Sequence, residues 1–164
     1  MSFEAIPEDV QKDIEQLEMY GYISDEYRVW GSAYTMRTLK GDEELAAAVV
    51  TKEYVETLAQ AKSWAWANIA LSVDAIDGKH DYCPRVQVDA VEFARARFRY
   101  WTSTYTWTLG ERLFTEFVTL QRRELAAREA MQDFHVPSPA PFLPGLSSLS
   151  DLGISTDELA PEAA

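Results

Sequence analysis

The densest run of reactive side chains in the chain is His80-Asp81-Tyr82-Cys83. Imidazole, carboxylate and thiolate are the groups that hold zinc, and a thiol beside an imidazole is the pairing of a nucleophilic cysteine. The spacing argues against both uses. Four neighbours in one loop cannot all converge on one ion, and the only other histidine, His135, is distant in sequence. Nothing marks the orienting group or oxyanion site that a cysteine nucleophile needs. A single cysteine excludes an internal disulfide and a four-cysteine metal site. The seven glycines stand singly, so no phosphate-cradling loop exists. The adjacent carboxylates Glu43 and Glu44 fall at an expected helix start, where the helix dipole accounts for them. The sequence therefore points away from an enzyme, and no cofactor or metal is expected.

Aromatic side chains say more. Five Trp and eight Tyr are many for 164 residues. Trp64 and Trp66 lie two apart, so on a helix they point in different directions and cannot both enter one core. Phe98, Tyr100, Trp101, Tyr105 and Trp107 pose the same problem. A surplus of aromatics is the compositional mark of interface anchors. The run Arg95-Ala96-Arg97-Phe98-Arg99-Tyr100-Trp101 could stack on single-stranded nucleic acid. The net charge of −12 opposes that, so nucleic acid is not the expected partner.

The charge is peripheral. Residues 1–26 hold one base, Lys12, against eight acids, and residues 136–164 hold four acids and no base. The body between them is nearly neutral. Such ends favour solubility and approach to a basic partner. No signal peptide or membrane span is expected, because the first ten residues carry acids and the longest weakly polar stretch, 64–73, is too short.

The elements that must position these residues follow from periodicity. Residues 7–20 read as a first helix, with Pro7 in its first turn, Val10, Ile14 and Leu17 on one face, and Gly21 as its stop. From about 26 to 39 the period changes to that of a small β-hairpin, with strands at 26–30 and 33–39 joined by Gly31-Ser32 in a type II′ turn. Asp42 is expected to cap a helix at 43–50, and Thr51 a longer one running to about 75, with Leu58, Ala61, Ala65, Ile69 and Val73 as its core stripe. Asp77-Gly78 and Cys83-Pro84 mark loops. A further helix is expected at 86–100, a kink, loop or short strand at 101–108, and a last helix at 109–134 with Leu113, Phe117 and Leu120 inward. Beyond His135 come five of the seven prolines, so 136–164 reads as an extended or disordered acidic arm. The expected class is mainly α: one helical domain, 1–135, with a small N-terminal hairpin and an extended proline-rich C-terminal arm.

Two stretches carry a resemblance. The first runs Met36-Arg37-Thr38-Leu39, then Glu43-Glu44-Leu45, then Lys52-Glu53-Tyr54-Val55-Glu56-Thr57-Leu58, into an alanine-rich helix closing on Asp77-Gly78. The second is Leu113, Phe117, Leu120, Gln121 and Ala126 in the last helix. Together they resemble the small tail assembly chaperones of tailed bacteriophages over residues 27–130. The resemblance implies no catalysis. It implies binding of tape-measure and tail-tube subunits, or of further copies of the chain, in the host cytoplasm during assembly. The arm equally suits a tail or baseplate component kept in the virion, and the acidic charge an inhibitor that mimics nucleic acid. The expected contact surface combines Phe117, Arg122 and Arg123 of the last helix with Trp30, Tyr34 and Met36 of the hairpin and nearby Trp107.

Overall fold

In the first helix, α1 (Glu8–Tyr20), Glu8 and Asp9 sit in the first turn, where carboxylates meet the positive end of the helix dipole. Gly21 ends it in the left-handed conformation, its N–H donating to Leu17 O. The computed structural model describes residues 6–80 and 89–134. The expected arm, 136–164, and Asp81, Tyr82 and Cys83 lie outside the described residues.

Chain order continues with β1 (Ser24–Val29), β2 (Ser32–Arg37), α2 (Gly41–Thr51), a 3-10 turn at Lys52–Tyr54, α3 (Gln60–Ser72), β3 (Val73–Ile76), α4 (Ala90–Thr104) and α5 (Trp107–Phe134). The class is mainly α with a small antiparallel sheet. The hairpin turn differs from the expected one. Val29 pairs with Ser32, so the loop is Trp30-Gly31, with φ of 50° and 88°. Positive φ at both positions is the pattern of a type I′ turn, whose hand matches the twist of the strands. Tyr34 and Met36, paired with Tyr27 and Asp25, then face inward and are buried.

A third strand was not foreseen. The helix expected to reach 75 stops at Ser72, and Val73-Asp74-Ala75-Ile76 pairs antiparallel with β2. Its residues alternate buried and half-buried, and Ser72 Oγ donates to Arg37 O at 2.7 Å, tying the helix end to the sheet. Both outer edges are partly taken. On β1, Ser24 N donates to Gln16 Oε1 at 2.6 Å and Glu26 N to Asp25 Oδ1 at 2.9 Å. On β3, Arg97 donates to Val73 O at 2.7 Å, and Ile76 exchanges two backbone bonds with Lys79.

The helix starts also shift. α2 begins at Gly41, with Glu43 rather than Asp42 serving as its cap: the Glu43 carboxylate accepts from Lys40 N at 2.9 Å. Thr51 caps nothing; it closes α2, its hydroxyl donating to Ala47 O. α3 starts only at Gln60, so Leu58 and Ala61 are exposed while Ala65, Ile69 and Val73 are buried. Asp89 caps α4 by accepting from Val91 N and Glu92 N. Of the stretch 101–108, expected as a kink, loop or short strand, residues up to Thr104 are helix; the break is confined to Tyr105 and Thr106, and α5 begins at Trp107.

α2, α3 and α4 pack on one another. Trp66 of α3 lies 6.1 Å from the Trp101 ring and 5.9 Å from the Trp107 ring, and Trp101 lies 4.6 Å from Tyr105. The aromatics expected as interface surplus are thus largely core. Trp66 lies close against α5, where a Cβ on Gly110 would meet its Cη2 and Cζ2 at 2.8 Å.

Two ion-paired knots join the elements. Arg123 of α5 donates to both oxygens of the buried Asp13 of α1, at 2.7 and 3.0 Å, and to Asp25 of β1 at 2.6 Å. Its side chain is held protonated more firmly than usual, by the bonds to Asp13 first. Arg37 of β2 grips Glu43 of α2 through two bonds of 2.6 and 2.8 Å. Burial pushes the carboxyls of Asp25 and Glu43 up, yet their bonds and charges from arginine and backbone N–H leave both below the ordinary values of 3.8 and 4.5.

Because those folded-state values are depressed, their stabilisation is complete above the unfolded values and is lost as pH falls through the folded ones. Urea midpoints should drop steeply below about pH 4, and Asp25→Asn should flatten that fall relative to the parent chain. Gly110→Ala should destabilise by roughly 1–3 kcal/mol through overpacking against Trp66, read as a lower thermal midpoint.

Candidate protein-binding surface

The residues expected to make contacts scatter. Tyr34, Met36 and Phe117 are core residues, the last only 1% exposed. Trp107 is half-buried, edge-on to Trp66 with the Lys62 ammonium over its ring at 5.3 Å. Arg123 is committed to Asp13 and Asp25. Arg122 is exposed on α5, and Trp30 is exposed at the hairpin tip. Phe117, Tyr34 and Met36 therefore belong to no surface, and the expected combination of last helix and hairpin is not a single face. The reason is register: the stripe that gives α5 its amphipathic period is the stripe it buries.

The exposed apolar side chains concentrate elsewhere. Leu45 and Val49, one helical turn apart on α2, are exposed, as are Val55 and Leu58 in the connection and Trp64 on α3. Five of the nine large apolar residues exposed among the described ones thus fall within 45–64. The helix α2 is apolar nearly all round: Ala46, Ala47 and Val50 are buried, while Leu45, Ala48 and Val49 look outward. An all-round apolar helix is the sign of a second contact face. That signal stood in the sequence as the run Leu45-Ala46-Ala47-Ala48-Val49-Val50.

The connection between α2 and α3 is built to hold its side chains out. Glu56 takes φ of 67°, a left-handed conformation that a residue with a side chain seldom adopts. Local bonds fix it there. Thr57 donates to Tyr54 O through both N and Oγ1, at 3.1 and 2.6 Å, and Gln60 N donates to Thr57 O at 3.1 Å. Glu56 N in turn donates to Gln60 Oε1 at 3.3 Å. On this braced bend Leu58 is 106% exposed, as open as an isolated side chain. Strain of this kind gathers where a segment binds.

Charges rim the apolar residues. Asp42, Glu44, Glu53 and Glu56 outnumber Lys52 and Lys62, and all six are exposed. The arrangement can bury an apolar segment with basic flanks. Among the described residues no group of three or more His, Cys, Asp or Glu could hold a metal ion, and no helix is long and apolar enough to cross a membrane. His80 stands exposed, its Nδ1 3.2 Å from Asp74 O, and its sequence neighbour Cys83 lies outside the described residues. No protein-family model, curated protein or solved structure matches this chain.

Relieving the left-handed strain at Glu56 with glycine recovers about 1–2 kcal/mol, offset by about 0.5–1 kcal/mol of extra chain entropy. Glu56→Gly should therefore raise the thermal midpoint slightly, by about 2–4 °C, in a differential scanning measurement.

Proposed function

We propose that this chain is a protein-binding module of bacteriophage tail assembly, a chaperone that covers an apolar helical segment of a tape-measure or tail-tube subunit until it is built in. The observation that carries the binding reading is the exposed set Leu45, Val49, Val55, Leu58 and Trp64, held outward on α2, a braced bend and α3. A monomeric soluble protein seldom leaves such a set uncovered without a partner. A helix laid on it would use side chains spaced three and four apart as anchors, the mode of amphipathic helices in apolar grooves. The carboxylates around the set favour a client whose flanks carry Lys or Arg. The assignment to phage tails rests on the resemblance of residues 36–78 and of the last helix.

Co-expression should keep a tape-measure segment soluble, and Leu58→Asp or Val49→Asp should abolish the effect. Both side chains are exposed, so these variants should keep the parent's circular dichroism and thermal midpoint within about 0.5 kcal/mol. Full solubilisation by both aspartate variants would remove the reading.

A further inference from the structure

Trp30 is out of place by every local rule. The first central position of a type I′ turn is usually filled by Asn, Asp or Gly, which tolerate positive φ. Here it holds the bulkiest side chain available, at φ 50° and 68% exposed. The indole serves neither the turn nor the core. The tip is also held firmly: Asp77 N donates to Ala33 O at 2.7 Å, and Asp77 Oδ1 accepts from Ala33 N at 2.8 Å. A strained, braced tip that presents an aromatic to solvent is a knob made for a hole.

A matching hole lies at the other end of the same strand. Where α1 gives way to β1, a groove of about 480 Å³ is lined by Met19, Tyr20 and Tyr22, with Lys12 and the carboxylates of Glu15 and Asp74. That volume falls within the range of about 300–1,000 Å³ typical of ligand clefts. Met19 and Tyr20 are 70% and 53% exposed. Tyr20 and Tyr22 stack at 5.9 Å, and Arg37 and Lys40 over the Tyr22 ring hold it in place.

We infer that the groove receives Trp30 of a second copy of this chain. The indole meets a thioether and stacked phenols, both favourable neighbours for an aromatic ring, and its N–H faces carboxylate acceptors. Arg28, two residues before the tip, is exposed and has no ion pair among the described residues; it complements Glu15 and Asp74. Knob and groove are separated by the length of β1, six residues or about 20 Å, so one copy cannot fill its own groove with its own tip. Each copy carries one knob and one groove, so two copies can exchange tips reciprocally in a symmetric pair or pass them on head-to-tail. This surface is separate from that of α2 and α3.

Sedimentation velocity over a concentration series tests it. The parent chain should associate as its concentration rises, to a dimer or beyond. Trp30→Asn, which removes the knob, and Met19→Lys, which spoils the groove with a cation suited to a helix C-terminus, should each weaken association by about thirtyfold or more. Mixed together, the two variants should form a one-to-one pair and stop there, since one retains a groove and the other a knob. Leu58→Asp should associate like the parent. Trp30→Asn should also raise the thermal midpoint, which separates loss of contact from loss of fold. A parent chain that stays monomeric, variants that associate unchanged, or a mixture that fails to pair would each overturn the inference.

Discussion

The guanidinium of Arg123 is the point on which the architecture turns. It holds Asp13, 110 residues earlier, and Asp25, 98 residues earlier, in one set of hydrogen bonds. α1, β1 and α5 come together there through charge, beside the apolar core to which Leu17, Val29, Phe117 and Leu120 of the same elements belong. A pair of this kind is asymmetric: well satisfied it adds little net stability, but with one member missing the other is left as a charge out of water. Asp13 is the sensitive member, being 2% exposed against a partner whose side chain is 30% exposed. Specificity is what the knot supplies. It fixes which turn of α5 meets the sheet, and so which residues of that long helix face inward.

The aromatic content resolves in the same way. Trp66, Trp101, Tyr105 and Trp107 form one cluster where α3, α4 and α5 meet, and Gly110 lets the α5 backbone approach the Trp66 indole. Composition could not separate these rings from Trp30 and Trp64, because a tryptophan in a helical period looks the same whether its face is packed or bare. Binding surfaces are distinguished by what is left over once the core is filled, and that requires the packing.

Helices with one apolar stripe were legible in the sequence: α1, the interior of α3 and α5 appear near their expected places because period and burial agree there. The sheet was half legible. Its hairpin was visible as a change of period, but the turn was misplaced because Gly31 was given the first loop position, and no local rule suggests that Trp30 would take a left-handed one. β3 was missed because Val73 and Ile76 continue the apolar pattern of α3, and four residues are too few to establish a period of two. The surface at 45–64 was hidden by a physical ambiguity, since Leu58 fits a helical stripe that the chain does not form.

The side chains along the sheet edges bear on how this molecule behaves in a crowd. A bare strand edge recruits any extended chain, its own unfolded copies included, through main-chain hydrogen bonds that read no sequence. Gln16, Asp25 and Arg97 already occupy several of those positions. Any contact with another chain is thereby left to side-chain surfaces, where shape and charge discriminate. An edge blunted in this way lets the folded chain stand beside extended or partly folded chains without joining their aggregates.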